Sequence, residues 1–86
     1  MNIKLTEHAL EKIEQRGTTK SEIIKTMLDG VEIPAKKGRK AKELVFDYGK
    51  DWLEKIYPQK KVVAIYVEED EEIVVITSKV YYGKWN

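Results

Sequence analysis

Residues 61–76 read Lys-Val-Val-Ala-Ile-Tyr-Val-Glu-Glu-Asp-Glu-Glu-Ile-Val-Val-Ile, and no other part of the chain indicates its architecture as clearly. The segments 61–67 and 73–76 are apolar at successive positions, so each is expected to be a central strand covered on both faces. Five consecutive carboxylates, residues 68–72, separate them and repel one another, which keeps the connection solvated. The pattern predicts a β-hairpin with an acidic loop, whose second strand continues toward Tyr81.

Two helices are expected ahead of these strands. Thr6 is a good N-cap for the first helix, and Gly17 supplies the left-handed residue that ends it. For the second helix, Thr19 and Glu22 have the spacing of a capping box, and Gly30 ends it.

The sequence pattern in the rest of the chain predicts shorter strands. Residues 3–5 alternate between apolar and polar and indicate a very short first strand. Residues 31–35 alternate too, but Pro34 cannot donate a ladder hydrogen bond, so that strand is expected at a sheet edge. A hairpin turn over 36–40 then leads to a strand over 44–48.

The segment that follows is less regular. Gly49-Lys50-Asp51 is expected to break the strand, and residues 52–57 fit either one helical turn or an irregular crossing. Tyr57-Pro58-Gln59 is interpreted as a turn.

The expected order is a short strand, two helices and then the main strands, which predicts an α+β fold. We expect one domain over residues 1–86, with two N-terminal helices packed on one face of a three- to four-stranded antiparallel sheet. The C-terminal tail, the segment around Trp52 or a partner protein would have to cover the other face.

The composition excludes several classes of functional site. The chain has no cysteine and one histidine, which argues against disulfides, thiolate metal sites and a zinc site. An 86-residue domain is too small for a deep cofactor cavity, so neither a metal nor a cofactor is expected. With no signal peptide and no apolar span of about 18–20 residues, a cytoplasmic protein without a membrane segment is expected. Charged residues make up 36% of the chain, as in thermophile proteins.

The first helix carries the candidate chemistry. The lone histidine, His8, lies one turn ahead of Lys12 and two turns ahead of Arg16. Metal-free RNA cleavage needs a base for the 2′-hydroxyl, an acid for the leaving oxygen and cations for the phosphorane. Histidine ordinarily titrates near neutrality and suits either proton role. The candidate catalytic residues are His8, Arg16, Lys79 and Tyr81.

His8 and Arg16 also have a structural interpretation. The helical wheel puts Arg16 about 65° from the centre of the apolar stripe, where it can brace the sheet, and His8 about 145° from it, where it is solvated. For His8 and Arg16, the catalytic and the structural interpretation both stay open.

Nucleic-acid binding is the second candidate chemistry. Lys36-Lys37-Gly38-Arg39-Lys40-Ala41-Lys42 holds five cations in seven residues, which repel one another without an anionic partner. The loop is equally explained as a soluble hairpin tip, and the aromatic tail as packing. The candidate binding residues combine positive charge with flat rings: Lys12, Lys37, Arg39, Lys40, Lys42, Tyr82 and Trp85.

Several short motifs carry a resemblance over nearly the whole chain. They are His8-Ala9-Leu10 with Lys12 and Arg16-Gly17, Tyr57-Pro58-Gln59-Lys60, Ile76-Thr77 at the end of a valine-rich strand pair, and Tyr82-Gly83-Lys84-Trp85. Together they resemble an uncharacterised family of small prokaryotic proteins, catalogued as domain-of-unknown-function family 4258.

That family is similar in element order to the RelE and ParE toxins, which pack two helices against an antiparallel sheet. The resemblance implies a metal-independent ribonuclease toxin that acts at the ribosome, with a small antitoxin protein as partner. ParE, by contrast, inhibits a topoisomerase. RelE-type toxins are basic throughout, whereas this chain has a net charge of +1.

Three functions are therefore left open. The first is an RNA-cleaving toxin. The second is a non-catalytic protein- or nucleic-acid-binding module that uses the basic hairpin 36–42 and an exposed sheet face. The third is a homodimer formed by strand or tail pairing, without chemistry of its own.

Overall fold

The computed structural model describes residues 2–52 and 55–85. The elements in chain order are β1 (Asn2–Leu5), α1 (Glu7–Arg16), α2 (Lys20–Asp29), β2 (Val31–Ile33), β3 (Lys40–Trp52), β4 (Lys55–Glu69) and β5 (Glu72–Gly83). The strands form one five-stranded sheet in the order β1-β5-β4-β3-β2. In the described part of the chain, neither ten-residue helix has the length and apolar character needed to cross a bilayer.

The α+β class is confirmed, but the expected antiparallel sheet of three or four strands is wrong. The sheet has five strands and is mixed, because β1 pairs in parallel with β5, with Ile3 beside Ile73. The backbone N–H of Thr6 also donates to the carbonyl of Val75 at 3.0 Å, so the pairing runs directly into the start of α1. A four-residue strand carries no sign of a partner some 70 residues away, which is why its sequence could not predict this pairing.

Strands β3 and β4 continue where a break was expected. Their pairing shifts between Asp47 and Lys50, so that Tyr48 and Gly49 lie opposite Pro58 alone. Gly49 has a φ of +60°, a left-handed conformation that glycine adopts without penalty. Proline has no N–H for the ladder, and the extra residue of a bulge accommodates that missing bond.

Because β3 and β4 stay paired on both sides of this bulge, three local predictions are wrong. In place of the break at 49–51, the bulge at Tyr48 and Gly49 is followed by residues 50 and 51 paired within the sheet, and the turn at 57–59 lies inside β4. Of the segment 52–57, residue 52 ends β3 and residues 55–57 begin β4, so the helical turn and the irregular crossing both fail there. Residues 53 and 54 lie outside the described residues.

The helix ends agree with the sequence. Thr6 Oγ1 accepts from the N–H of Ala9 at 3.1 Å, and Gly17 ends α1 with a φ of 82°. Thr19 Oγ1 accepts from the N–H of Glu22 at 3.1 Å. The short strand β2 lies at the sheet edge as expected, and residues 36–42, called the basic loop below, follow it.

The core lies between the helices and one sheet face. Between Lys60 and Tyr66 of β4, even-numbered residues point toward the helices, and odd-numbered residues point to the opposite face. The buried apolar residues of the helix side are Ala9, Ile23, Met27, Val62, Ala64, Tyr66 and Val75. Neither of the two described helices contributes to the lining of the opposite face, whose centre holds a groove.

Candidate nucleic-acid interface

The sheet face opposite the helices holds a groove of about 980 Å³, called the main groove below. Its floor is apolar and includes Ala41, Val63 and Ile65, of which Val63 is only 6% exposed. The basic loop lies along one side, and the C-terminal tail lies at one end. An apolar floor with polar walls is the ordinary construction of a ligand site.

Four cationic side chains line this groove: Lys36, Arg39, Lys61 and Lys79. Glu43 is the one carboxylate that lines it within the described residues. The groove therefore has an excess of positive charge although the whole chain is nearly neutral.

Strand register brings polar residues together on the floor. Val63 of β4 lies beside Glu43 of β3 and beside Lys79 of β5. Two residues along, Lys61 lies beside Tyr81. Because neighbouring strands are about 4.8 Å apart and alternate residues about 7 Å apart, these side chains all reach the same central region.

Trp85 folds back onto this region from the tail. Its backbone N–H donates to Gln59 Oε1 at 2.7 Å, and its ring centroid lies 4.8 Å from Lys61 Nζ. The ring also packs on Gly83, where an added Cβ would lie 3.6 Å from the indole. The indole is thus held at the groove by three separate contacts.

The side chains of the basic loop lie in two different environments. The N–H of Arg39 donates to the carbonyl of Lys36 at 2.9 Å, and the side chains of both residues line the main groove. Lys37 is exposed on the same loop. Lys40 instead pairs with Glu68 at 2.9 Å, a hydrogen bond and charge attraction that raise the pKa of this exposed lysine.

Lys42 and Lys12 lie away from the groove lining. Lys42 Nζ donates to the carbonyl of Met27 at 3.0 Å, at the carboxyl end of α2, where a cation is favourable. Lys12 donates to Gln15 Oε1 at 3.3 Å on the surface of α1.

Arg16 braces the sheet edge. Where β1 ends, β5 has a free edge, and Arg16 Nη1 donates there to Thr77 Oγ1 at 3.1 Å and to the carbonyl of Ser78. Its own carbonyl accepts from the hydroxyl of Tyr82 at 3.4 Å. A second, shallower groove of about 440 Å³ at this edge is lined by Arg16, Lys79 and Tyr81, among others.

Tyr82 belongs to a ring cluster. Its ring centroid lies 5.2 Å from that of Tyr48 and 5.6 Å from that of Tyr57. Burial, helped by the charges of Tyr48 and Glu22, raises the pKa of Tyr82 to about 12. The same hydroxyl is the donor to the carbonyl of Arg16.

The structure brings some of the predicted residues together. Arg39, Lys79, Tyr81, Tyr82 and Trp85 all line the main groove. Arg16 meets Lys79 and Tyr81 only in the smaller groove, whose lining it shares with Tyr82.

His8 is exposed on α1 and lies outside the lining of both grooves. Its catalytic role stays a prediction. Within the described residues, no three histidine or carboxylate groups are arranged to hold a metal ion.

Sequence reasoning missed Glu43 and Lys61, which are central to the groove. The available signal was the two-residue alternation: Lys61 shares its parity with Val63 and Ile65, so it lies on the same face as they do. Which face stays open could not be read from that alternation.

No protein-family model matches the chain, and no curated protein or solved structure matches it either. The resemblance to toxin families therefore stays a prediction, and function has to be inferred from geometry and charge.

Proposed function

We propose that the main groove binds single-stranded nucleic acid, with RNA as the first ligand to test. The observation that carries this proposal is the meeting of four cations, the exposed ring of Tyr81 and the partly exposed ring of Trp85 over one apolar floor. This corresponds to the binding-module hypothesis, but with the open sheet face rather than the basic loop as the main contact surface.

The cations would hold the phosphates. Lys36 and Arg39 on the loop and Lys79 on β5 stand on opposite sides of the floor. A backbone that crosses the groove can therefore contact cations at both sides, and each contact releases a condensed counterion.

The rings would hold the bases. Tyr81 is 49% exposed, and Trp85 lies at the same end of the groove. Aromatic side chains bind bases by stacking, at about 1–3 kcal/mol per base, and the base must be unpaired to present its face. The combination supports a single strand rather than a duplex.

Fluorescence anisotropy tests the proposal with a labelled RNA strand, the DNA strand of the same sequence, and the RNA duplex. We expect the single strands to bind more tightly than the duplex. Lys79→Ala and Tyr81→Ala should each weaken binding, by about tenfold for the lost stacking ring. Lys20→Ala, at an exposed lysine on the helix side, is the matched control.

If neither single strand binds, or if the Lys20 variant loses as much affinity as the groove variants, the proposal is wrong. A DNA strand that binds as well as RNA would identify the ligand as single-stranded nucleic acid of either kind.

A metal-independent ribonuclease is the second candidate. The observation that favours it is that Lys79 and Tyr81 lie two residues apart on the same face of β5, in the main groove, where a cation and a proton donor can reach one phosphate. Such an enzyme would work in the cytosol at the ribosome, and a small antitoxin would control it.

Its test is incubation with labelled RNA in a chelator and detection of 2′,3′-cyclic phosphate ends. Cleavage lost in Lys79→Ala and Tyr81→Phe would support this site. Loss in His8→Ala and Arg16→Ala, in folded proteins, would instead support the first helix. Intact RNA with the native protein, under conditions where it binds, would leave binding as the function.

A further inference from the structure

Glu43 does not fit a site that only holds phosphates. It is the one carboxylate among the described residues of the main groove, its side chain is 30% exposed, and its charge repels an anionic backbone. A carboxylate accepts hydrogen bonds and donates none when ionised, so its natural ligand here is a group that carries N–H donors.

The contact of Glu43 with Lys61 leaves both groups capacity for a ligand. Glu43 Oε2 lies 3.8 Å from Lys61 Nζ, well beyond the roughly 2.7–2.9 Å of a charge-assisted hydrogen bond. By comparison, the helix-side pair Lys60–Glu22 is closed to 2.7 Å.

A flat ring completes the arrangement. The Trp85 ring lies over Lys61 Nζ at 4.8 Å, so the indole, the ammonium and the carboxylate follow one another along the groove. A planar ligand that stacks on this face of the indole would move the Lys61 ammonium from over the ring to the ligand's edge, so that the edge meets a donor and then the Glu43 acceptor.

We propose that Trp85, Lys61 and Glu43 form a subsite that reads guanine in the bound strand; this rests on the proposed function. The base would stack on Trp85, Lys61 would donate to O6, and Glu43 would accept from the N1–H and the 2-amino group. Guanine is the base whose edge presents an acceptor followed by two donors.

The other bases match this order less well. Adenine and cytosine present an amino donor toward Lys61 and a ring-nitrogen acceptor toward Glu43, so both contacts are reversed. Uracil offers O4 and N3–H but has no second donor. Because Lys61 and Glu43 are only 21% and 30% exposed, a wrong base leaves poorly solvated charges without partners, which costs affinity.

The experiment is competition binding with the full chain and short cytidine-flanked RNAs that differ only in a central guanine, adenine, uracil or hypoxanthine base. We expect guanine to bind about tenfold more tightly than adenine, as a good bidentate base contact provides. Hypoxanthine, which lacks the 2-amino group, should fall between them.

Glu43→Gln should reduce the guanine preference to near equality without weakening the binding of the adenine strand. Glu32→Gln, at an exposed carboxylate on the neighbouring strand β2, is the matched control and should keep the preference. Trp85→Ala should weaken the binding of all four strands.

Equal binding of the four strands, or a guanine preference that survives Glu43→Gln, would overturn the guanine subsite and leave the proposed function in place. If no strand binds, both are overturned.

Discussion

Lys60 Nζ lies 2.7 Å from Glu22 Oε1, which ties β4 to the first turn of α2. Lys60 also donates to the carbonyl of Gly17 at 2.8 Å and lies 5.3 Å from the ring centroid of Tyr48. Its side chain is only 8% exposed. Its sequence neighbour Lys61 points to the other face and lines the main groove, so two adjacent lysines lie on opposite faces of the sheet.

Replacing Lys60, the buried one of the two adjacent lysines, should lower the stability of the fold. We expect Lys60→Met to lower the free energy of unfolding by about 3 kcal/mol, because it leaves the Glu22 carboxylate and the Gly17 carbonyl without their cation. Lys61→Met should change it by less than about 1 kcal/mol. Urea unfolding of both variants measures the difference, and equal losses would contradict the assigned role of Lys60.

The acidic hairpin offers a stabilising change. Asp70 and Glu71 form its turn with φ values of 43° and 68°, both in the left-handed region. Such two-residue turns favour glycine at the second position, so Glu71→Gly should raise stability by about 1 kcal/mol. Glu71→Ala removes the same charge but keeps the backbone strain. If thermal unfolding places both variants at the same midpoint, relief of repulsion rather than of strain is the cause.

Alkaline pH should unfold the protein partly through Tyr82. Its pKa is raised from the ordinary 10 to about 12, chiefly by burial, so the folded state keeps a proton that the unfolded chain loses. The resulting stabilisation is complete below about pH 10 and is lost as pH rises toward 12. Burial also raises the pKa of Tyr66, which adds in the same direction.

Tyr82→Phe isolates this effect. The variant should show a smaller loss of stability between about pH 9 and pH 11 than the native protein, measured by urea unfolding at each pH. Tyr81→Phe, at a neighbouring exposed phenol, should retain the native pH dependence. The same dependence in both variants would assign the alkaline transition to other groups.

Salt should weaken strand binding in proportion to the groove cations engaged. For a single strand, each neutralised phosphate contributes about −0.7 to the slope of log K against log salt, so the three cations assigned to phosphates, Lys36, Arg39 and Lys79, predict a slope of roughly −2. Lys79→Ala should reduce its magnitude by about 0.7, and Lys20→Ala should not change it. A slope near zero for the native protein would exclude phosphate contacts by the groove.

Gly30 lies close to the backbone of Glu43, a residue that lines the main groove. A Cβ at this position would overlap the carbonyl oxygen of Thr26 and lie 2.8 Å from that of Glu43, although its φ of −75° suits any residue. Gly30→Ala should therefore cost about 2 kcal/mol through overpacking. Asp29→Ala, one exposed residue earlier, should cost much less in the same urea titration. Comparable costs would show that β3 can move away from α2.

Local signals predicted the helices well because their causes are local. The hydroxyl of Thr6 and the left-handed Gly17 act within four residues of the helix ends they define. The same reasoning failed at Pro58, because the feature that accommodates it, the bulge at Tyr48 and Gly49, lies on another strand. Parallel pairing of β1 with β5 also depends on where α1 packs, which no local pattern records.

The candidate site was predicted only in part for a related reason. Tyr81, Trp85 and Arg39 were identified from residue type, and the structure places all three in one groove. His8 drew attention as the lone histidine, a property of composition and not of position. Glu43 went unnoticed because its significance comes from Lys61 and Trp85, which are distant in the chain and adjacent only across the sheet.

Alternation along the strand was enough to put Lys60 and Lys61 on opposite faces, since successive side chains of an extended backbone point in opposite directions. Caps and turn residues likewise defined both helices and the acidic hairpin. Packing alone assigned one face to the core and the other to the groove, because the helices can cover only one side of the sheet. The meeting of carboxylate, ammonium and indole then followed from strand register, which long-range hydrogen bonds and bulges set.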